Sequence, residues 1–161
     1  MYEKINHPFP PLYDKNSKIL ILGSFPSQKS REQLFFYGHP QNRFYKLLAL
    51  IFDEAVPQTI EEKKKFLLSH NIALWDVISY CEIIGSSDSS IKNVIPNDLS
   101  EIFDNADIKA VFTNGKASHK FYTKYLKEKF GEAVCLPSTS PANAAFTLEK
   151  LHNEWKVIKN I

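Results

Sequence analysis

Continuously apolar stretches alternate with helical repeats along this chain. After Lys18, Ile19-Leu20-Ile21-Leu22 is apolar throughout and closes on Gly23, the pattern of a strand covered on both faces of a parallel sheet. Phe44, Leu47, Leu48, Ile51 and Phe52 then recur at helical spacing, which predicts an amphipathic helix over 42–52. A second helix is expected over 60–70, with Ile60, Phe66 and Leu67 inward and Glu61 to Lys65 outward. Ile72 to Ile78 reads as the second strand, 108–113 as the third and 133–136 as the fourth. A short helix near 98–105 and a longer one over 116–129 separate them, the latter turning Ala117, Phe121, Tyr125 and Leu126 inward. A last helix is expected over 147–156, followed by a short strand at Val157-Ile158.

The remaining segments are polar or broken. Residues 1–17, with His7, Pro8, Pro10 and Pro11, read as an extended lead-in without a helix. Residues 23–41 and 82–97 read as long loops, the second rich in Gly, Ser and Asn. Loops of this length inside a compact domain usually carry function.

Strands alternating with helices imply right-handed crossovers that cover a parallel sheet on both sides. The expected fold is α/β: a three-layer α/β/α sandwich around a four-stranded parallel sheet in the order 2-1-3-4, with one domain spanning 1–161. The loops leaving the four strands then meet along one sheet edge, where open α/β sheets build their sites.

Charge and cysteine content narrow the chemistry only slightly. The formal net charge is +2 over 161 residues, which permits contact with nucleic acid without arguing for it. Cys81 and Cys135 are the two cysteines. They cannot alone hold an iron–sulfur cluster, and both are expected to be buried free thiols. No cofactor or metal is expected. No signal-peptide pattern and no run of about 18 apolar residues occurs, so no membrane contact and a cytoplasmic monomer are expected.

Three motifs carry the chemical signal: Gly23-Ser24-Phe25-Pro26-Ser27, Gly38-His39-Pro40-Gln41-Asn42-Arg43-Phe44 and Ser138-Thr139-Ser140-Pro141-Ala142-Asn143. Together they resemble the uracil-DNA glycosylase superfamily, most of all its hypoxanthine-DNA (deoxyinosine) glycosylase branch. A looser resemblance runs to the mismatch-specific uracil/thymine glycosylases, which share the His-Pro-x-Asn-Arg-Phe stretch. The resemblance implies a monofunctional base-excising enzyme acting on DNA that contains a deaminated base. The mismatch-specific branch carries a catalytic Asn where this chain has Phe25, so the resemblance to the deoxyinosine branch puts the catalytic weight on Asn42. It also places Tyr37 where relatives stack an aromatic on the flipped base. In relatives the last motif presses on the DNA backbone and inserts a bulky apolar wedge; Ala142 is small.

Excision of a base requires that the nucleotide be rotated out of the duplex and held. Phe25, Phe35, Phe36 and Tyr37 offer an aromatic platform, and His39 and Asp76 could meet the base edge. Asp76 could accept hypoxanthine N1–H or orient the water, and Asp88 is a second candidate carboxylate. Asn42 is expected to hold water with its amide oxygen and donate to the base with its NH2, besides capping a helix. Ser24, Ser27, Ser138, Ser140 and Asn143, with the helix start at Lys116, are the expected grips on phosphate, and Arg43 and Lys29 could add charge. His7, His70, His119 and His152 are assigned to packing or to the surface. No Lys falls in the motifs as a nucleophile, so hydrolysis without strand cleavage is expected. Other readings are uracil or thymine excision on the same fold, and a nucleic-acid-binding protein without catalysis. A small-molecule hydrolase lacks a nucleophile elbow.

Overall fold

The computed structural model describes residues 1–161. Its central strand is β2 (Ile19–Gly23), all five residues buried. Parallel to it on one side runs β3 (Ile72–Asp76), and on the other β6 (Ala110–Asn114), with β7 (Val134–Leu136) beyond. The order β3-β2-β6-β7 is the expected 2-1-3-4.

Alternate side chains of β2 feed opposite layers, as the strand period of two requires. Ile19 and Ile21 join a core with Leu47 and Leu48 of α2 (Phe44–Phe52), Phe66 and Leu67 of α3 (Ile60–Ser69), and Leu151 and Trp155 of α7 (Leu148–Trp155). Leu20 and Leu22 join the other core with Ile102 of α4 (Ser100–Asn105) and Tyr122 of α5 (Lys116–Tyr125). These are the two helical layers of the sandwich.

A second sheet was absent from the sequence expectation. β1 (Glu3–Asn6), β4 (Ile78–Ile83) and β5 (Lys92–Pro96) form an antiparallel sheet in the order β1-β4-β5. The lead-in is thus partly a strand, and the supposed loop 82–97 is largely a hairpin. Its Gly/Ser tract forms only the connection, with a 3-10 turn at Asp88–Ser90. The expected strand 72–78 is likewise two strands that change sheet at Val77.

Four smaller corrections follow from local geometry. The loop 23–41 contains α1 (Gln28–Gln33), capped by Ser27, whose Oγ accepts from Ser30 N. The helix expected over 116–129 breaks at Leu126 into α5 and α6 (Lys127–Phe130). Val157 and Ile158 lie in a 3-10 turn, Lys156–Asn160, that buries Ile158. Cys135 is exposed rather than buried.

Cys81 packs inside the second core, and burial pushes its thiol up to about 11 although Arg31 pulls the other way. The thiolate is the reactive form. Iodoacetamide on the native protein at neutral pH is therefore expected to label Cys135 and spare Cys81 until denaturant is added; equal labelling of both would contradict this packing.

Candidate active site

β2, β3, β6 and β7 all end at the same edge, and a cavity of about 510 Å3 opens there. Its volume falls within the range of roughly 300–1,000 Å3 usual for small-molecule sites. Of the side chains singled out in the sequence, Asn42, Phe25, Tyr37, His39, Asp76, Ser24, Ser27, Ser138, Ser140 and Asp88 line it, with Phe36 and Lys29. Lys116, Asn143, Phe35 and Arg43 do not. Lys116 is exposed at the start of α5. Asn143 closes its own loop, its Nδ2 donating to Ser138 O at 3.0 Å and its N to Ser140 O at 2.9 Å.

The floor is made where β2 and β3 end side by side. Gly23 pairs with Asp76, and the approach is so close that a Cβ on Gly23 would stand 2.6 Å from Asp76 Oδ1 and 3.3 Å from the Tyr37 hydroxyl. A side chain there is excluded by contact, not by backbone conformation. Asp76 is buried, and His7 Nε2 meets its Oδ2 at 2.7 Å. No protein donor reaches Oδ1, which is left to the cavity.

Tyr37 stands beside that carboxyl with φ 55°, a left-handed conformation unusual for a bulky residue. Its ring stacks on Phe44 at 4.1 Å between centroids. Burial, then the neighbouring Asp76, pushes its hydroxyl well above the ordinary tyrosine range, with Asn114 pulling the other way. Nevertheless the hydroxyl oxygen has no hydrogen-bond partner in reach. The Asn114 side chain is turned to Thr139 instead: its Nδ2 donates to Thr139 Oγ1 at 3.0 Å and its Oδ1 accepts from Thr139 N at 3.0 Å.

Thr139 passes this chain on to Asn42. Its Oγ1 donates to Asn42 Oδ1 at 2.8 Å, and Phe44 N donates to the same oxygen at 3.0 Å. A backbone N–H can only donate, so the atom facing it is the amide oxygen and not the nitrogen. Both lone pairs of that oxygen are then occupied, which corrects the expectation that it holds water. The NH2 has no protein acceptor and is the group Asn42 presents to the cavity. α2 is assigned from Phe44, with Arg43 in the cap position; Asn42 still accepts from the first helical N–H.

Four of the five N–H donors of Arg43 are already taken within the protein. Its guanidinium donates to the carbonyls of Thr139, Ser140, Asn143 and Phe146, which staples the last motif to the start of α2. Ser24 is similarly engaged, its Oγ donating to Asp88 Oδ1 at 2.8 Å. Burial pushes the Asp88 carboxyl up, and the Ser24 bond works against that. Ser140 Oγ and Ser138 Oγ accept from backbone N–H groups within their loop, which leaves each hydroxyl proton free to donate outward. His39 Nδ1 accepts from Gln41 N at 3.1 Å, so the ring turns its Nε2 away from that turn. Lys29 lies at the cavity mouth, largely exposed and 3.6 Å from Glu32. It lacks the desolvation that makes a lysine nucleophilic.

Of the aromatics, Phe35 and Phe36 are core residues, although Phe36 also touches the cavity wall. Phe25 both packs in the second core and lines the cavity. Three residues escaped the sequence reading. Asn114 ends β6 immediately before Gly115, a strand-end polar residue of the same kind as Asp76. Thr139 lies between Ser138 and Ser140, with no local feature to set it apart from them. His7, assigned to packing or surface, has no local signal at all: its partner is 69 residues away.

Comparison with known proteins agrees with this frame. The family model described as Uracil DNA glycosylase superfamily matches residues 10–160. A protein of Methanosarcina acetivorans named Hypoxanthine DNA glycosylase is 35% identical over 156 residues, covering 96% of this chain and 98% of its own. One of Methanosarcina barkeri with the same name is 38% identical over 137 residues, covering 84% and 86%. A solution NMR structure from Methanosarcina acetivorans, described as a candidate uracil DNA glycosylase, superposes with a TM-score of 0.81 at 34% identity over 94% of this chain and 95% of that one. By family match, identity and shared fold together, this chain belongs to the uracil DNA glycosylase superfamily.

Proposed function

We propose that this protein is a monofunctional DNA glycosylase that hydrolyses the N-glycosidic bond of deoxyinosine and releases hypoxanthine. The observation that carries the reading is the polarity of the cavity. A buried carboxylate oxygen, Asp76 Oδ1, and an amide NH2, Asn42 Nδ2, both open onto one space without protein partners. Hypoxanthine offers N1–H as a donor and O6 and N7 as acceptors, which complements that pair.

On this reading the nucleotide swings out of the duplex and the base enters against Tyr37 and Phe25. Asp76 Oδ1 accepts N1–H. Asn42 Nδ2 donates to an acceptor on the base, and this bond strengthens as negative charge collects on the leaving purine. Only an interaction that grows toward the transition state accelerates the step. Thr139 and Phe44 N hold the amide so that no reorientation is needed when the charge develops. The hydroxyl protons of Ser138 and Ser140, at the cavity rim, suit flanking phosphate oxygens.

The relatives named Hypoxanthine DNA glycosylase support the choice of base. Uracil is the second reading: its N3–H is also a donor flanked by carbonyls, and the solved relative is described in those terms.

Single-turnover excision from duplexes carrying inosine, uracil, xanthine or a thymine mispair tests the choice. Inosine is expected to react fastest, and the product strand to stay intact until alkali is added. A nick without alkali would argue for an amine nucleophile instead. Asn42→Ala is expected to slow excision at least about 100-fold. Unchanged excision in that variant removes Asn42 from the chemistry, and binding without any excision in the wild type leaves a nucleic-acid-binding protein. Gly23→Ala should also be about 100-fold slower, because Asp76 Oδ1 must give way by a large fraction of an ångström and misplacement at a reacting centre is severe. An alanine variant with wild-type rate would show that the floor geometry does not matter.

A further inference from the structure

His7 is the one histidine that the fold carries into the wall behind the cavity. Its side chain is only 3% exposed and that of Asp76 5%, and their contact at 2.7 Å is the one hydrogen bond that either makes to another side chain. Around the ring stand Phe9 and Trp75, each at 4.5 Å between centroids, and Phe25 at 5.9 Å. An apolar side chain would fill this aromatic box at lower desolvation cost, since a buried polar pair is weak evidence for stability. The polar ring therefore calls for a reason beyond packing.

The geometry supplies one. Phe9 N points at His7 Nδ1 at 3.5 Å, a long contact that nonetheless faces a donor toward that nitrogen. Nε2 is then the nitrogen that carries the proton and donates it to Asp76 Oδ2. The carboxyl torsion of an aspartate is broad by itself. One donor on Oδ2 fixes the plane and commits Oδ1 to the cavity, beside the Tyr37 hydroxyl. The backbone holds His7 on both sides: its N donates to Ser79 O of β4 at 2.7 Å, and Leu12 exchanges two hydrogen bonds with Leu74 of β3. The N-terminal segment is thus laced to both sheets next to the residue it orients.

We infer that His7 is a positioning residue that aims Asp76 Oδ1 at the base, so that the N-terminal segment is a working part of the site. This rests on the reading of Asp76 as the acceptor of base N1–H. An acceptor held in that plane favours a base with a proton on its ring nitrogen. Adenine presents a lone pair at the same position and would set lone pair against lone pair.

His7→Phe keeps ring volume in the aromatic box and removes the donor; His7→Gln restores a donor at similar reach. Single-turnover excision of inosine at saturating enzyme is expected to fall roughly 10- to 100-fold in the phenylalanine variant, the worth of one hydrogen bond to a charged group. Binding to an abasic-site duplex should stay within about twofold of wild type, because that product has no base for Asp76 to hold. The glutamine variant should recover most of the rate. A phenylalanine variant at wild-type rate overturns the proposal, and so does a glutamine variant as slow as the phenylalanine one, which would assign the effect to ring packing. Thermal unfolding checks that each variant is folded, and His7→Leu takes the place of a phenylalanine variant that is not.

The cycle with Asp76→Asn separates the two levels of the argument. If Asp76→Asn excises inosine at wild-type rate, the reading of Asp76 itself is lost. If Asp76→Asn is slow and His7→Phe adds its full loss on top, His7 acts elsewhere and only the positioning role is lost. Little further loss in the double variant is the expected result.

Discussion

A single hydroxyl, that of Thr139, holds the site together. It accepts from Asn114 at the end of β6 and donates to Asn42 at the start of α2, so three separate chain segments share one short polar chain. Any one such bond contributes only about 0.5–1.5 kcal/mol to stability. Its importance lies in direction. With Phe44 N on the same oxygen, it leaves the Asn42 amide one orientation, NH2 toward the cavity. Arg43, the next residue, gives four of its five N–H donors to carbonyls of the same loop. The pair Asn42-Arg43 thus anchors the loop after β7 with one side chain's oxygen and the other's N–H donors, and the amide nitrogen of Asn42 is left over for a ligand.

Unfavourable features gather around the cavity that this nitrogen faces. Tyr37 adopts a positive φ, which costs on the order of 1–3 kcal/mol where the surroundings enforce it. Its hydroxyl is buried without a partner, at a further cost of about 1–3 kcal/mol. Gly23 gives up the packing of a side chain to let Asp76 and Tyr37 approach. A chain selected for stability alone would remove each of these. They are tolerated because two apolar cores on either face of β2 carry the fold.

The parallel sheet was legible because burial on both faces writes itself as uninterrupted apolar runs, such as Ile19 to Leu22. The antiparallel sheet was not, because its strands are half exposed: Ile78 to Ile83 reads Ile-Ser-Tyr-Cys-Glu-Ile, and a Gly/Ser tract follows it at once. Cavity residues on short motifs could be picked out, since a strand end followed by small polar residues marks where the chain turns over the sheet edge. What could not be read was who holds whom. That Arg43 faces carbonyls, that Ser24 faces Asp88, and that His7 faces Asp76 are all products of long-range closure, with nothing in local composition to announce them. Residue type told what each group can do, and only the fold told which capacities were already spent.

That distinction also bears on which bases such a cavity can accept. Deamination of adenine replaces an amino donor by a carbonyl acceptor and places a proton on N1; deamination of cytosine does the same at O4 and N3. The two damaged products therefore share one lactam edge, N–H beside C=O, and both parents present its inverse. On the proposed reading, an Asp76 oxygen fixed as acceptor and an Asn42 nitrogen fixed as donor match the lactam and oppose the parent. Neither group can reverse its polarity while His7 and Thr139 hold it, so rejection of adenine and cytosine comes from the same bonds that build the floor. Polarity alone would admit uracil as readily as hypoxanthine. The choice between them must then come from ring size against the aromatic wall of Tyr37 and Phe25, a matter of fit rather than of hydrogen-bond pattern.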